Sequence, residues 1–282
     1  MLAKEIKRIF IHVRWPLQVY VFLGFMFGLI VAQVNFQFIV IVALASQLLL
    51  WAGVTLFNSY YDKDDKPVAG LKNPPKITNS ILYGSLFFKI ISLILALFVN
   101  RIFLFITVFI IFLSILYSHT KFRFKSNGFV ALLFNFIAGF TTFLSSSSIK
   151  VGSLLDNNII FGSISAGLFL MAIYLMMQIH QAKDDRNRGD VSYIIMFGRK
   201  RALLTSVIVI LFSGAFGLFS LYLSGLFMHI IILGIYMAAG IILLIRWVSN
   251  KKEEDFNMMT KITNYFSFVG SILLLLLYIF GG

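Results

Sequence analysis

Along the chain, long apolar runs alternate with short polar connections. A bilayer-spanning helix needs roughly 17–25 apolar residues, because every backbone polar group inside hydrocarbon must be satisfied within the helix. Nine stretches qualify, at about residues 16–34, 38–57, 80–99, 102–118, 128–147, 159–180, 202–223, 225–248 and 262–280. Only "NFQ" separates the first two, and little more than "SG" separates the seventh from the eighth. The pattern predicts an all-α polytopic membrane protein: nine transmembrane helices in a bundle, forming one domain over residues 1–282. Within it a four-helix unit is expected twice, over 16–118 and 128–248, with a ninth helix appended.

Composition agrees with that pattern. The chain is 60% hydrophobic and only 12% charged, whereas a soluble domain is about 25% charged. The opening "MLAKEIKRIFIHVRWP" reads as a basic amphipathic stretch leading into a span too long for a signal peptide's apolar region. With no cysteine, disulfides, iron–sulfur clusters and thiolate metal sites are excluded. The four histidines form no metal-ligand pair at helical spacing. The net charge of +13 is spread over membrane-flanking loops, which favours an anionic lipid surface or anionic substrate over nucleic acid. All but three of the 24 Lys and Arg fall in alternate connections; the exceptions are Lys89, Arg101 and Lys150. That asymmetry predicts a cytoplasmic N-terminus and an external C-terminus.

The acids are the informative residues. Asp62, Asp64 and Asp65 follow the second span, and Asp184, Asp185 and Asp190 follow the sixth, both on the expected cytoplasmic side. In "LFNSYYDKDDKP" Asn58 and Asp62 are four apart and share a helix face; in "QIHQAKDDRNRGD" Gln181 and Asp185 repeat that spacing. Such runs are often merely solvated, as "KKEEDF" at 251–256 is expected to be. Two clusters at matched positions, interleaved with Lys63, Lys66, Lys183, Arg186 and Arg188, call for more. Oxygen ligands without nitrogen or sulfur favour Mg²⁺. Carboxylates mixed with Lys and Arg are the pattern expected where Mg²⁺ bridges protein oxygens and a diphosphate.

These segments resemble the UbiA superfamily of intramembrane prenyltransferases. "NSYYDKDDKP" is similar to its first motif, NxxxDxxxD, through Asn58 and Asp62. "QAKDDRNRGDVSYIIMFGRKRA" is similar to the second, DxxxDRxxGxxTxxxxxG, with Asp185, Arg186, Gly189, Ser192 and Gly198 in register. "YSHTKFRFK" resembles the basic loop after the fourth helix, through Tyr117, Arg123 and Lys125. Lys66 stands where the first motif's last acid falls, and Gln181 where the second motif's first acid falls; Asp64, Asp65 and Asp184 lie beside them. The resemblance implies Mg²⁺ bound by Asn58, Asp62, Asp64, Asp65, Gln181, Asp184 and Asp185, with Asp62 and Asp185 essential to catalysis. It implies a diphosphate held by Lys66, Lys72, Tyr117, Arg123, Lys125 and Arg186. It further implies transfer of an isoprenyl group from a polyprenyl diphosphate to a lipophilic or aromatic acceptor, with diphosphate released.

Two other readings stand beside this one. A terpene cyclase on the same scaffold would need no acceptor. A cation-coupled transporter would place its charges near mid-membrane and break helices there with Gly or Pro, whereas these acids sit at span ends. The expected location is the cell membrane, with the site on its cytoplasmic side and lipids as neighbours. Four further polar residues stand out. Lys89 lies mid-span, a functional candidate by default that can also snorkel. Gln47 and Asn135 are cavity or packing groups, and His180 is a candidate base or a solvated helix end.

Overall fold

Each apolar run becomes a helix. The computed structural model describes residues 2–63, 71, 73–150, 152, 154–179, 181–187, 189–249 and 255–281. Asp64, Asp65, Lys66, Lys72, His180 and Arg188 lie outside the described residues, as do the side chains of Lys183 and Asp184. The helices are α1 (Leu2–His12), α2 (Trp15–Val31), α3 (Phe38–Asp62), α4 (Asn79–Val99), α5 (Arg101–Ser118) and α6 (Gly128–Ser147). There follow α7 (Asn157–Met177), α8 (Ala182–Asn187), α9 (Tyr193–Leu223), α10 (Phe227–Ser249), α11 (Asp255–Asn264) and α12 (Gly270–Phe280). No strand occurs among the described residues. Among the described residues eight segments are long and apolar enough to cross a membrane, and the bent pair α1–α2 makes up to nine.

The departures from the expected boundaries have local causes. Between α1 and α2 the chain bends by 51°. Arg14 takes a left-handed φ of 55° there, and Pro16 sits in the first turn of α2, where its missing N–H is harmless. Helix α9 begins at Tyr193, ahead of the expected seventh span, because a short segment joins it across Gly198 (φ 78°, ψ 165°). That backbone conformation suits glycine. In the last span a π-helical turn, Tyr265–Val269, links α11 to α12. The phenolic hydroxyl of Tyr236 donates to the Phe266 carbonyl there, at 2.5 Å.

The chain divides into two units, Met1–Phe22 with Phe36–Lys125, and Leu23–Asn35 with Ser126–Gly282. In the first, α3 and α4 run antiparallel and are clasped by serines. Ser46 Oγ donates to the Ser92 carbonyl at 2.9 Å, and Ser85 Oγ to the Gly53 carbonyl at 2.7 Å. Helix α1 lies across the ends of both: Val13, Ala52, Leu56 and Ile81 form one buried cluster, and Glu5 accepts from Thr78 and Ser80. A single residue, Asn100, joins α4 to α5; its side chain accepts from Phe103 N–H and caps the helix.

The second unit is built on close backbone approach. A Cβ added to Gly139 would lie 2.2 Å from the Ala166 carbonyl oxygen. Ser165 and Ser213 each donate to the other's carbonyl, at 2.8 and 2.9 Å, tying α7 to α9. Lipid solvates large apolar side chains as well as a neighbouring helix does, so small residues and hydroxyl-to-carbonyl bonds carry such interfaces.

Candidate functional site

The last turn of α3 carries the first acidic motif. Helical spacing puts Asn58 and Asp62 on one face, and both point toward the basic segment after α5. Lys125, in a single 3₁₀ turn (Phe124–Ser126), places its ammonium 2.7 Å from Asn58 Oδ1 and 2.5 Å from Asp62 Oδ1. Ser118, at the end of α5, donates to the same Asn58 oxygen at 3.0 Å. Arg123, in a left-handed conformation (φ 40°), brings Nη2 to 4.0 Å from Asp62 Oδ1. The Tyr117 ring lies 5.9 Å from the Lys125 ammonium. Lys125 is only 8% exposed and Asp62 12%. The Lys125–Asp62 contact is coulombic rather than directional, for Asp62 Oδ1 accepts no hydrogen bond among the described residues.

This arrangement bears on metal binding. Two neutral or anionic oxygens, from Asn58 and Asp62, converge on one cationic point. The Lys125 ammonium stands there as a hard divalent cation would, and an all-oxygen donor pair suits Mg²⁺. Among the described residues no three acids or histidines come together to form a complete metal cage. Asp64 and Asp65, the nearest further acids in sequence, are outside them.

The second acidic segment lies in the other unit. Asp185 is buried on the short α8, Gln181 is half-buried before it, and Arg186 is exposed. The Asp185 N–H donates to the Gln181 carbonyl at 2.9 Å, so the two stand one turn apart as their spacing predicts. The chain then turns at Gly189 (φ 74°) and pairs with the start of α6: Val191 N–H donates to Ser126, and Gly128 N–H to Val191. A side chain at Gly128 would meet the Tyr193 nitrogen at 2.5 Å, so glycine is required for this contact. Ser192 is buried at the N-cap position of α9, where its hydroxyl makes no capping bond to the helix.

Three further residues take clear positions. Arg14 is absent from the motifs, yet it is buried and donates from Nη2 to Ser59 Oγ at 2.9 Å, directly beside Asn58. Asn135 donates to the Ala131 carbonyl of its own helix, a packing role. Gln47 is fully buried, and neither amide atom finds a partner among the described residues.

The UbiA prenyltransferase family matches residues 19–272. A solved UbiA homologue from Archaeoglobus fulgidus superposes with a TM-score of 0.73 at 15% identity, covering 95% of this chain and 98% of that one. The same homologue bound to DMAPP and Mg²⁺ gives a TM-score of 0.69 at 17% identity, over 97% and 99%. A structure described for digeranylgeranylglyceryl phosphate synthase gives 0.58 at 18% identity, over 98% of each chain. Among curated proteins none matches this sequence.

Proposed function

The chain belongs to the UbiA prenyltransferase family, and from that premise we propose that it transfers an isoprenyl group from a prenyl diphosphate to a lipophilic acceptor. The observation that carries this reading is the convergence of Asn58 and Asp62 on one cationic point, the Lys125 ammonium, at the end of α3. A relative solved with DMAPP and Mg²⁺ supports the same chemistry.

In this reading Asn58 and Asp62, with Asp64 and Asp65 beside them, hold one Mg²⁺. Gln181, Asp184 and Asp185 hold a second, and Asp62 and Asp185 are the residues turnover depends on. When bound, the metal supplies charge neutralisation for the departing diphosphate. Lys125 and Arg123 then turn from Asp62 to the phosphate oxygens, giving charge-assisted donors where negative charge accumulates as the allylic C–O bond breaks. Lys66, Lys72, Tyr117 and Arg186 add donors to the phosphates. The prenyl tail lies among apolar helices, away from water. The acceptor's nucleophilic atom bonds to the allylic carbon and loses its proton. The asymmetry of the basic connections supports a site facing the cytoplasm at the cell membrane, with lipid as the surrounding solvent.

The test is turnover by the purified protein in detergent with geranyl diphosphate, Mg²⁺ and a panel of phenolic, naphthoic and glycerol-phosphate acceptors. Release of pyrophosphate together with a prenylated acceptor supports the reading. A cyclic hydrocarbon formed without acceptor would replace transfer with cyclisation, and no Mg²⁺-dependent release would overturn both.

A further inference from the structure

The reading above leaves Lys89 without a role. Its position is specific: halfway along α4, 4% exposed, inside the three-helix contact of α3, α4 and α5. The stem crosses α3 at Gly53, where an added Cβ would lie 2.8 Å from Lys89 Cγ and 3.0 Å from the Ser85 carbonyl. Glycine therefore opens the slot that the lysine fills. From there the side chain runs one turn toward the Asp62 end of α3. Its ammonium donates to Ser114 Oγ at 2.9 Å and sits 4.0 Å above the centre of the Phe57 ring.

Both contacts are neutral. An ammonium in hydrocarbon is costly unless an anion compensates it, and a hydroxyl and an aromatic face offset only part of that cost. The neighbours of these two contacts show where an anion would come from. Phe57 precedes Asn58 in α3. Ser114 lies one turn below Ser118 on α5, and Ser118 donates to Asn58. The ammonium thus lies about 6 Å, four helical residues, beneath the Asn58 cluster. A phosphate resting above Asn58 would be on the order of 10 Å away.

Resting on the proposed function, we infer that Lys89 is a positioning residue of the diphosphate site: a buried amine that, in its ammonium form, draws the diphosphate onto the Asn58–Lys125 cluster through its field without touching it. One unit charge acting over about 10 Å at an effective dielectric near 20 changes anion affinity by about ten-fold, equivalent to about 1.4 kcal/mol.

The experiment measures binding of inorganic pyrophosphate with Mg²⁺, and of geranyl thiodiphosphate, to the full chain in detergent by calorimetry, alongside the melting temperature. K89M is expected to weaken both ligands about ten-fold while leaving the melting temperature unchanged or raised, because a lone buried charge has been removed. K89R is expected to restore affinity to within about three-fold, since the field depends on charge. Wild-type affinity in K89M, or a loss matched by a fall in melting temperature and not rescued by K89R, overturns the inference and leaves the functional reading intact. Wild-type protein that binds neither ligand overturns both. If K89M fails to fold, S114A removes the hydrogen bond that aims the ammonium: a loss of about three-fold supports the inference, and no change overturns it.

Discussion

The Lys125–Asp62 contact invites a double-mutant cycle. The two groups are 2.5 Å apart and almost wholly buried, so at an effective dielectric near 20 their gross attraction is about 7 kcal/mol. Desolvating each ion costs several kcal/mol, which leaves a net coupling of about 2 kcal/mol, within the range measured for contacting residues. Asp62→Asn and Lys125→Met should each destabilise the protein by about 3 kcal/mol, because each strands the other charge in a buried position. The double variant should lose about 4 kcal/mol rather than 6, the difference being the coupling. The assay is reversible unfolding in mixed micelles, without metal and again with saturating Mg²⁺. With metal the coupling should shrink, because the carboxylate then faces the divalent ion instead of the ammonium. Additive losses within about 0.5 kcal/mol would refute the claim that these groups pair. A coupling indifferent to Mg²⁺ would refute the claim that the ammonium marks the ion's place.

Other outcomes follow from the same geometry. Chelation with EDTA should abolish pyrophosphate release, and added Mg²⁺ should restore it while K⁺ does not; turnover that survives chelation would remove the metal role. D185N should lower turnover about 100-fold, measured by pyrophosphate release. G139A would drive a methyl group against the Ala166 backbone and should cost about 1–3 kcal/mol of stability by overpacking, seen as a lower melting temperature. G198A meets no neighbour, yet it forces an L side chain to a φ of 78° with an extended ψ; a loss of about 1–3 kcal/mol is expected from backbone strain alone.

What could be read from residue order was mostly what helical periodicity controls. The spans follow from apolar length, and the shared face of Asn58 and Asp62 follows from their spacing. That Lys125 reaches both was visible only through its motif, because 67 residues separate it from Asn58 and no local pattern links them. The role of Arg14 is not legible in the sequence for a physical reason: before a proline at a span's edge, a basic residue reads as an interfacial flank. Its burial against Ser59 depends on α1 folding back across α3 and α4. The boundary differences at Gly198 and Tyr265–Val269 arise where backbone geometry changes without a change in hydrophobicity. Lys89 was conspicuous as a charge in hydrocarbon, but the slot at Gly53 that accommodates it appears only when α3 and α4 are laid together.

The reciprocal serine clasp between α7 and α9 has a practical corollary. Cohesion that comes from hydroxyls bonded to the facing helix's carbonyls, and not from the expulsion of water, is insensitive to which amphiphile surrounds it. This pair of helices should remain joined when the protein is extracted into short-chain surfactants that strip native lipid, and would form a dependable fiducial for aligning particles or labelling in experimental structure determination.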